Sequence, residues 1–318
     1  MRVGVLPASL KAEARHSYSP ACRAYALIDN LDFCELYAEG KEYDIVYLQK
    51  RFDATLVQKV KATGATCVLD TCDSYVIGPE RAQRAFKNAL LASDVISVPT
   101  EMLQKKMKTE FPSKEVLVGF DVMEFEPNHD LADKEEPTTV VVYGSYHNVA
   151  FAANVLDQLA SFERVVFVTD NDHHLDQLKK VIGTRQGFEF RGWVWTDLQD
   201  LLQKSHASLV VYKTPMDGLF KSCNRSLISL HYGTPVVSGR NPHIAELNKQ
   251  LGGWATEFVT ISEIEYRLQQ AVELSRKSTR EERGRVRGTA MMCEFGCDAA
   301  LNTWEVLFDK VNEMRKGV

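Results

Sequence analysis

At 318 residues, with 45% hydrophobic and 25% charged residues, the chain has the composition of a globular protein able to bury a sizeable core, and its length suits two domains. A formal net charge of −5 leaves no electrostatic footprint for DNA or RNA, which argues against a nucleic-acid partner. No run of about 18 apolar residues occurs, and the N-terminus MRVGVLPASL is too short and too polar after Pro7 for a signal peptide. The cysteines at 22, 34, 67, 72, 223, 293 and 297 form no CxxC pair and no zinc spacing, so they read as reduced, buried thiols. A cytoplasmic protein is expected, and peripheral membrane contact stays compatible with the sequence.

In chain order, short β-branched runs at 3–6, 33–37, 44–48, 66–69, 95–98 and 115–118 alternate with helical stretches such as 54–62, 80–91 and 101–108. That βαβ rhythm predicts a parallel sheet. The polar, acidic stretch 124–139, EFEPNHDLADKEEPTT, reads as a linker. The rhythm then restarts with strands at 140–143, 165–169, 188–191, 208–212 and 235–238 and helices at 149–159, 175–182, 197–204 and 224–232. From about Ile261 the pattern becomes long helix, and a last helix over 299–314 carries Leu301, Trp304, Val306, Leu307, Phe308 and Val311, enough for a broad apolar face. The expected fold class is α/β, with two Rossmann-like doubly wound domains facing a cleft: residues 1–123, then 140–298 after the linker, with 299–318 as a final helix.

The segment from Gly192 to Leu247 is the richest in chemistry. Its order is strand, Gly192-Trp193-Val194, helix, strand ending at Lys213, a polar turn Lys221-Ser222-Cys223-Asn224-Arg225, helix, and Gly233-Thr234-Pro235 before the next strand. In doubly wound sheets ligands sit beyond the carboxyl ends of the strands. Two cations and several donors at a helix start favour an anion, with Arg225 offering a fork for phosphate oxygens and Lys221 a compact charge. Lys213 should project toward the same place, although an exposed loop lysine fits equally. Gly144-Ser145, after the first strand of the second half, forms a tight turn whose amides could approach a phosphate; Asn148 there is either a polar contact or a helix cap. Trp193 is read either as a base contact or as a packed ring, and the Gly192 to Val194 backbone as the better candidate for a base edge.

This order of parts resembles the nucleotide-sugar half of the GT-B glycosyltransferases, particularly the large retaining family numbered four, with the specific likeness confined to Gly192 to Val237. The resemblance implies a glycosyltransferase that moves a sugar from a nucleotide-diphosphate-sugar to a glycan, lipid-linked or protein acceptor. No cofactor beyond the donor and no bound metal is implied, and the resemblance also implies that the C-terminal helix 299–318 crosses back to pack on the N-terminal domain. The chain departs from the family in two places. The Gly144-Ser145 turn lacks the family's Arg and Lys, leaving His147 and Asn148. The family's paired glutamates, eight positions apart, correspond to Phe220 and Ile228.

In the first half, LDTCDSY places Asp70 and Asp73 at the carboxyl end of a strand, either as a general base on an acceptor hydroxyl or as helix caps; Asp73 is the preferred acid. The long loop after the first strand brings Lys11, Arg15, His16 and Tyr18, with His16 a further catalytic candidate or simply part of a disordered loop. His173-His174 with acidic neighbours suggests a metal or, more plainly, a solvated loop. The basic stretch 276–287 reads as an exposed helix face or turn, with anionic-lipid contact a minor alternative. No G-x-G-x-x-G follows the strands at 3–6 or 140–143, and neither G-x-x-x-x-G-K-[ST] nor G-x-S-x-G occurs, which disfavours dehydrogenase, P-loop NTPase and serine hydrolase readings. A nucleotide-sugar epimerase of the same fold and a catalytically silent scaffold remain as alternatives.

Overall fold

The computed structural model describes residues 1–10, 21–73, 79–123, 131–169, 172–212, 215–293 and 295–317. The chain forms two compact units: Met1–Glu124 with Phe220–Ser222 and Glu294–Val318, and Phe125–Leu219 with Cys223–Cys293.

The first unit is built on six parallel strands: β1 (Val3–Leu6), β2 (Cys34–Leu36), β3 (Ile45–Gln49), β4 (Thr66–Asp70), β5 (Val95–Val98) and β6 (Glu115–Val118). Their order is β2-β1-β3-β4-β5-β6. β3 and β5 are buried along their whole length, which explains runs such as IVYL that show no polar alternation. Helices between the strands start where a side chain can satisfy free amides: Asp53 accepts from the amides of Thr55 and Leu56 before helix Ala54–Ala62, and Thr100 accepts from Leu103 before helix Glu101–Glu110.

The final helix, Cys297–Lys316, packs its apolar face on this sheet. Trp304 is fully buried, its indole N–H donates to the carbonyl of Phe120 at 2.7 Å, and its ring meets Tyr47 edge-on at 5.2 Å. Gly119 exists to let that ring in: a Cβ there would lie 2.7 Å from it.

The second unit carries β7 (Thr139–Tyr143), β8 (Arg164–Thr169), β9 (Phe188–Gly192), β10 (Ala207–Val210), β11 (Val236–Gly239) and β12 (Ala255–Phe258), all parallel, in the order β12-β11-β10-β7-β8-β9. The chain winds outward from β7 in one direction to β9 and in the other from β10 to β12. The switch point, where a crevice opens at the carboxyl edge, therefore lies between β7 and β10.

Three local differences from the sequence reading have physical causes. The expected helix over 149–159 is a short turn Tyr146–Val149, a 3-10 stretch Ala150–Val155 and a turn Leu156–Leu159. Its buried residues Val149, Ala152 and Val155 recur every third position, the period of a 3-10 face. The polar turn before Asn224 contains a further helix, Pro215–Phe220. The basic stretch 276–287 runs from the end of helix Ile264–Lys277 into helix Arg280–Met292, opened by a capping box between Thr279 and Glu282, and its Arg283 is buried where an exposed face was expected. Of the expected linker, 124–130 lies outside the described residues; Leu131 beyond it is 5% exposed, and the amide of Ala132 donates to Gln203.

Candidate active site

In the second unit, β7 ends at Tyr143 and turns through Gly144 at φ +148°, a backbone that an L side chain rarely adopts. Helix Asn224–His231 approaches from the other side of the switch point. The Tyr143 hydroxyl, though on β7, bonds the carbonyl of Arg225 and shares a hydrogen with Ser229 Oγ at 3.0 Å; Ser208 of β10 donates to the same Ser229 at 2.7 Å. A buried hydroxyl chain thus fixes the first helical turn against both strands that flank the crevice.

Arg225 is placed by that turn. Its Nη1 lies 3.4 Å from the Tyr143 carbonyl and its Nη2 3.4 Å from the Val211 carbonyl, so the guanidinium spans the ends of β7 and β10. The group lies 5.4 Å from the centre of the Tyr212 ring, and its stem passes Gly144, where a Cβ would come to 3.4 Å. Both carbonyl bonds are long for an N–H donor. Among the described residues Arg225 has no carboxylate partner, which leaves a half-buried cation able to turn its donors toward an anion.

Tyr212 was not legible as a site residue. It is held between two glycines distant in sequence: a Cβ at Gly218 would be 2.8 Å and at Gly239 2.9 Å from its ring, and Asn241 donates to its hydroxyl at 3.3 Å. Gly192 stays in the β-ladder opposite Thr169, with ordinary backbone. Trp193 lies 6.1 Å from Tyr143 and stacks on Trp195 at 6.2 Å, so packing accounts for much of its ring. Val194 is 50% exposed and precedes helix Trp195–Lys204 with no side-chain cap. Ser145 is exposed, and Asn148 donates to its hydroxyl at 3.0 Å. His174 stacks on Tyr146 at 5.1 Å, with His147 and His173 beside it; among the described residues no three His, Cys, Asp or Glu are placed to hold a metal.

The first unit gathers the remaining residues differently from the sequence expectation. Lys221 and Ser222 belong to this unit. The Lys221 ammonium pairs with Asp73 Oδ1, and Lys50 reaches Asp73 Oδ2 at 3.0 Å from a left-handed backbone, φ +51°. Burial pushes the Asp73 carboxyl up, but Lys221 and then Lys50 outweigh it and hold it well below the usual carboxylate range. A base works best with a pKa near the operating pH, so Asp73 as placed suits orienting a hydroxyl better than removing its proton.

Asp70, the other acid expected to act on an acceptor, is engaged within the protein. It is fully buried, bonded twice by Arg23 and once by Ser97 Oγ at 2.7 Å. Arg23 continues to the Gly119 carbonyl at 2.7 Å and to Asp121 at 2.6 Å, and Ser222 Oγ donates to the other Asp121 oxygen at 2.6 Å. Asp70 and Ser222 are therefore the two ends of one buried framework under the sheet's carboxyl edge. Asn224 is buried at the start of its helix. Lys213, His16, Lys11, Arg15 and Tyr18 lie outside the described residues.

No protein-family model and no curated protein matches the chain. Solved structures do. TarM matches at 12% identity and TM-score 0.58 over 83% of this chain, and a point mutant of S. aureus TarM in complex with fondaparinux, α-GlcNAc-glycerol and UDP at 11% and 0.56 over 84%. AviGT4, a glycosyltransferase involved in avilamycin A biosynthesis, matches at 13% identity and TM-score 0.56 over 100% of this chain and 99% of its own. The chain spans 54% of the TarM chain and 56% of its mutant. With two six-stranded parallel sheets of Rossmann-like winding and these neighbours, the chain has the GT-B glycosyltransferase fold.

Proposed function

We propose that the protein is a glycosyltransferase that moves a sugar from a nucleotide-diphosphate-sugar to a glycan, lipid-linked or protein acceptor. The observation that carries the reading is Arg225: a cation without a carboxylate partner among the described residues, fixed by Tyr143 and Ser229 at the β7/β10 switch point beside the Gly144 turn. A guanidinium already in place there neutralises the charge that grows on a departing diphosphate, with no reorganisation during the reaction. Tyr143, Ser229 and Ser208 hold it; Trp193 offers a flank for a base.

The reading includes turnover without a bound metal, so activity should survive chelation. It also puts the protein in the cytoplasm, a compartment that keeps thiols reduced; five of the seven cysteines are buried. No helix among the described residues is long and apolar enough to cross a membrane.

UDP, found with a TarM mutant, is the first nucleotide to titrate. Calorimetry should give micromolar binding, weakened about tenfold or more, about 1.4 kcal/mol, by Arg225→Ala. Product analysis with donor alone then separates a transferase from an epimerase. A second reading, a silent GT-B scaffold, draws on Phe220 and Ile228, apolar where the resembled family carries glutamates; Ile228 is fully buried. No binding by any nucleoside diphosphate to the folded protein would decide for it.

A further inference from the structure

The Gly233-Thr234-Pro235 turn of the second unit packs two cations together. Arg283, only 4% exposed, runs its stem along Gly233, where a Cβ would sit 3.1 Å from its own. Its Nη1 donates to the Ala132 carbonyl at 2.7 Å and its Nη2 to Asp133 at 3.3 Å, the residues just before Lys134. Lys134 in turn donates to Thr234 Oγ1 at 3.1 Å, while that hydroxyl donates onward to the Leu202 carbonyl. Two observations mark the arrangement as incomplete. Among the described residues Lys134 has no carboxylate within ion-pair reach, and the buried Nε–H of Arg283 has no acceptor. The one carboxylate at hand, Asp133, is 83% exposed and turned to solvent.

Like charges held together in a poorly solvated place favour loss of the lysine proton. Burial first, and Arg283 next, push the Lys134 amine well below the ordinary lysine range. His206, 2% exposed, accepts from the Thr139 amide through Nδ1 and is itself lowered by burial and by Lys134, so it supplies no counter-charge. Glu136 is held by Arg276, and Glu135 by Lys204. What remains is an amine biased toward losing its proton, packed on the same turn as a guanidinium whose Nε–H has no acceptor.

We propose that Lys134 is a carbamylation site, taking dissolved carbon dioxide with Arg283 as counter-ion. The amine nitrogen forms a bond to the carbon, one C=O electron pair moves to oxygen, and the amine releases a proton to solvent. The product, an N-carboxylate, accepts from the Nε–H of Arg283. A pair of crowded cations becomes an ion pair, which ties the segment before β7 to helix Arg280–Met292.

The test uses the full-length wild-type protein, equilibrated either with 13C-bicarbonate or in carbon-dioxide-free buffer, ethylated with a trialkyloxonium salt and digested for mass spectrometry. The expected result is an isotopically shifted ethyl carbamate at Lys134, at least tenfold above any other lysine, and absent in Lys134→Met. In parallel, acylation by a neutral anhydride across pH should show Lys134 titrating below the other lysines. An unlabelled Lys134 peptide, labelling spread evenly over surface lysines, or an ordinary titration of Lys134 would each overturn the proposal.

Discussion

Arg23 in the first unit and Arg225 in the second carry the same guanidinium and are used in opposite ways. Arg23 is wholly buried, with bonds to Asp70, Asp121 and the Gly119 carbonyl, and its plane lies 4.9 Å from the Trp304 ring. Arg225 is half-buried, touches two carbonyls at 3.4 Å and rests on one ring. The first arginine has its donors matched and holds a fold together; the second keeps donors in reserve at the sheet edge where a ligand would arrive. Satisfaction of donors, more than residue type, separates framework from site.

The sharpest way to break that contrast is to remove one partner of the buried set. Asp70→Ala leaves the wholly buried Arg23 charged and short of two bonds, so it should cost about 3–5 kcal/mol in urea unfolding. Arg225→Ala should cost less than about 1 kcal/mol in the same experiment, as a partly exposed side chain with weak bonds, and show its effect in nucleotide titration. If both substitutions destabilise alike, the distinction between framework and site fails.

Next in size is Gly119→Ala. The added methyl would lie 2.7 Å from Trp304, and the indole is anchored by its bond to Phe120 and by Tyr47. Such overpacking costs about 1–3 kcal/mol, and tryptophan fluorescence should report a displaced ring. A neutral result would mean that the C-terminal helix is not held at this point.

Tyr143→Phe sharpens the other side of the comparison. It deletes the hydroxyl that fixes the Arg225 turn, at about 0.5–1.5 kcal/mol of stability. Nucleotide affinity should fall with it, although the phenylalanine ring still packs. Unchanged affinity would mean that Arg225 finds its place without that bond.

Much of the architecture was legible because parallel strands buried on both faces must be written as continuous apolar runs, as in TVVVY and RVVFVT. The position of Arg225 at a helix start beside the switch point was legible from the order of strands and helices alone. Tyr212 was not, because its packing against Gly218 and Gly239 is decided by three segments meeting. Nor was the fate of Asp70, since Arg23 and Asp121 come from 47 and 51 positions away, and a carboxylate at a strand end reads the same whether it faces substrate or a buried guanidinium. The pairing of Lys221 with Asp73 was hidden for the same reason, since 148 positions separate the two.

The smallest effect expected comes from Asp73, and it separates the two units by pH. Lys221 and Lys50 hold its carboxyl well below the usual range despite burial. In the unfolded chain an aspartate takes up a proton near pH ~4. Below that pH the unfolded state binds the proton that the folded one refuses, so stability rises with pH across this window. The contribution is complete above about pH 5 and is lost as pH falls through ~4 toward the folded-state value. Asp73 and Lys221 are each more than one-third exposed, so solvent and salt weaken the triad, and 1 M salt should shrink the effect further. Asp73→Asn should flatten this part of the stability profile while leaving nucleotide binding at Arg225 intact. Parallel profiles for wild type and Asp73→Asn between about pH 3 and 6 would mean that the two lysines do not hold the carboxylate in solution.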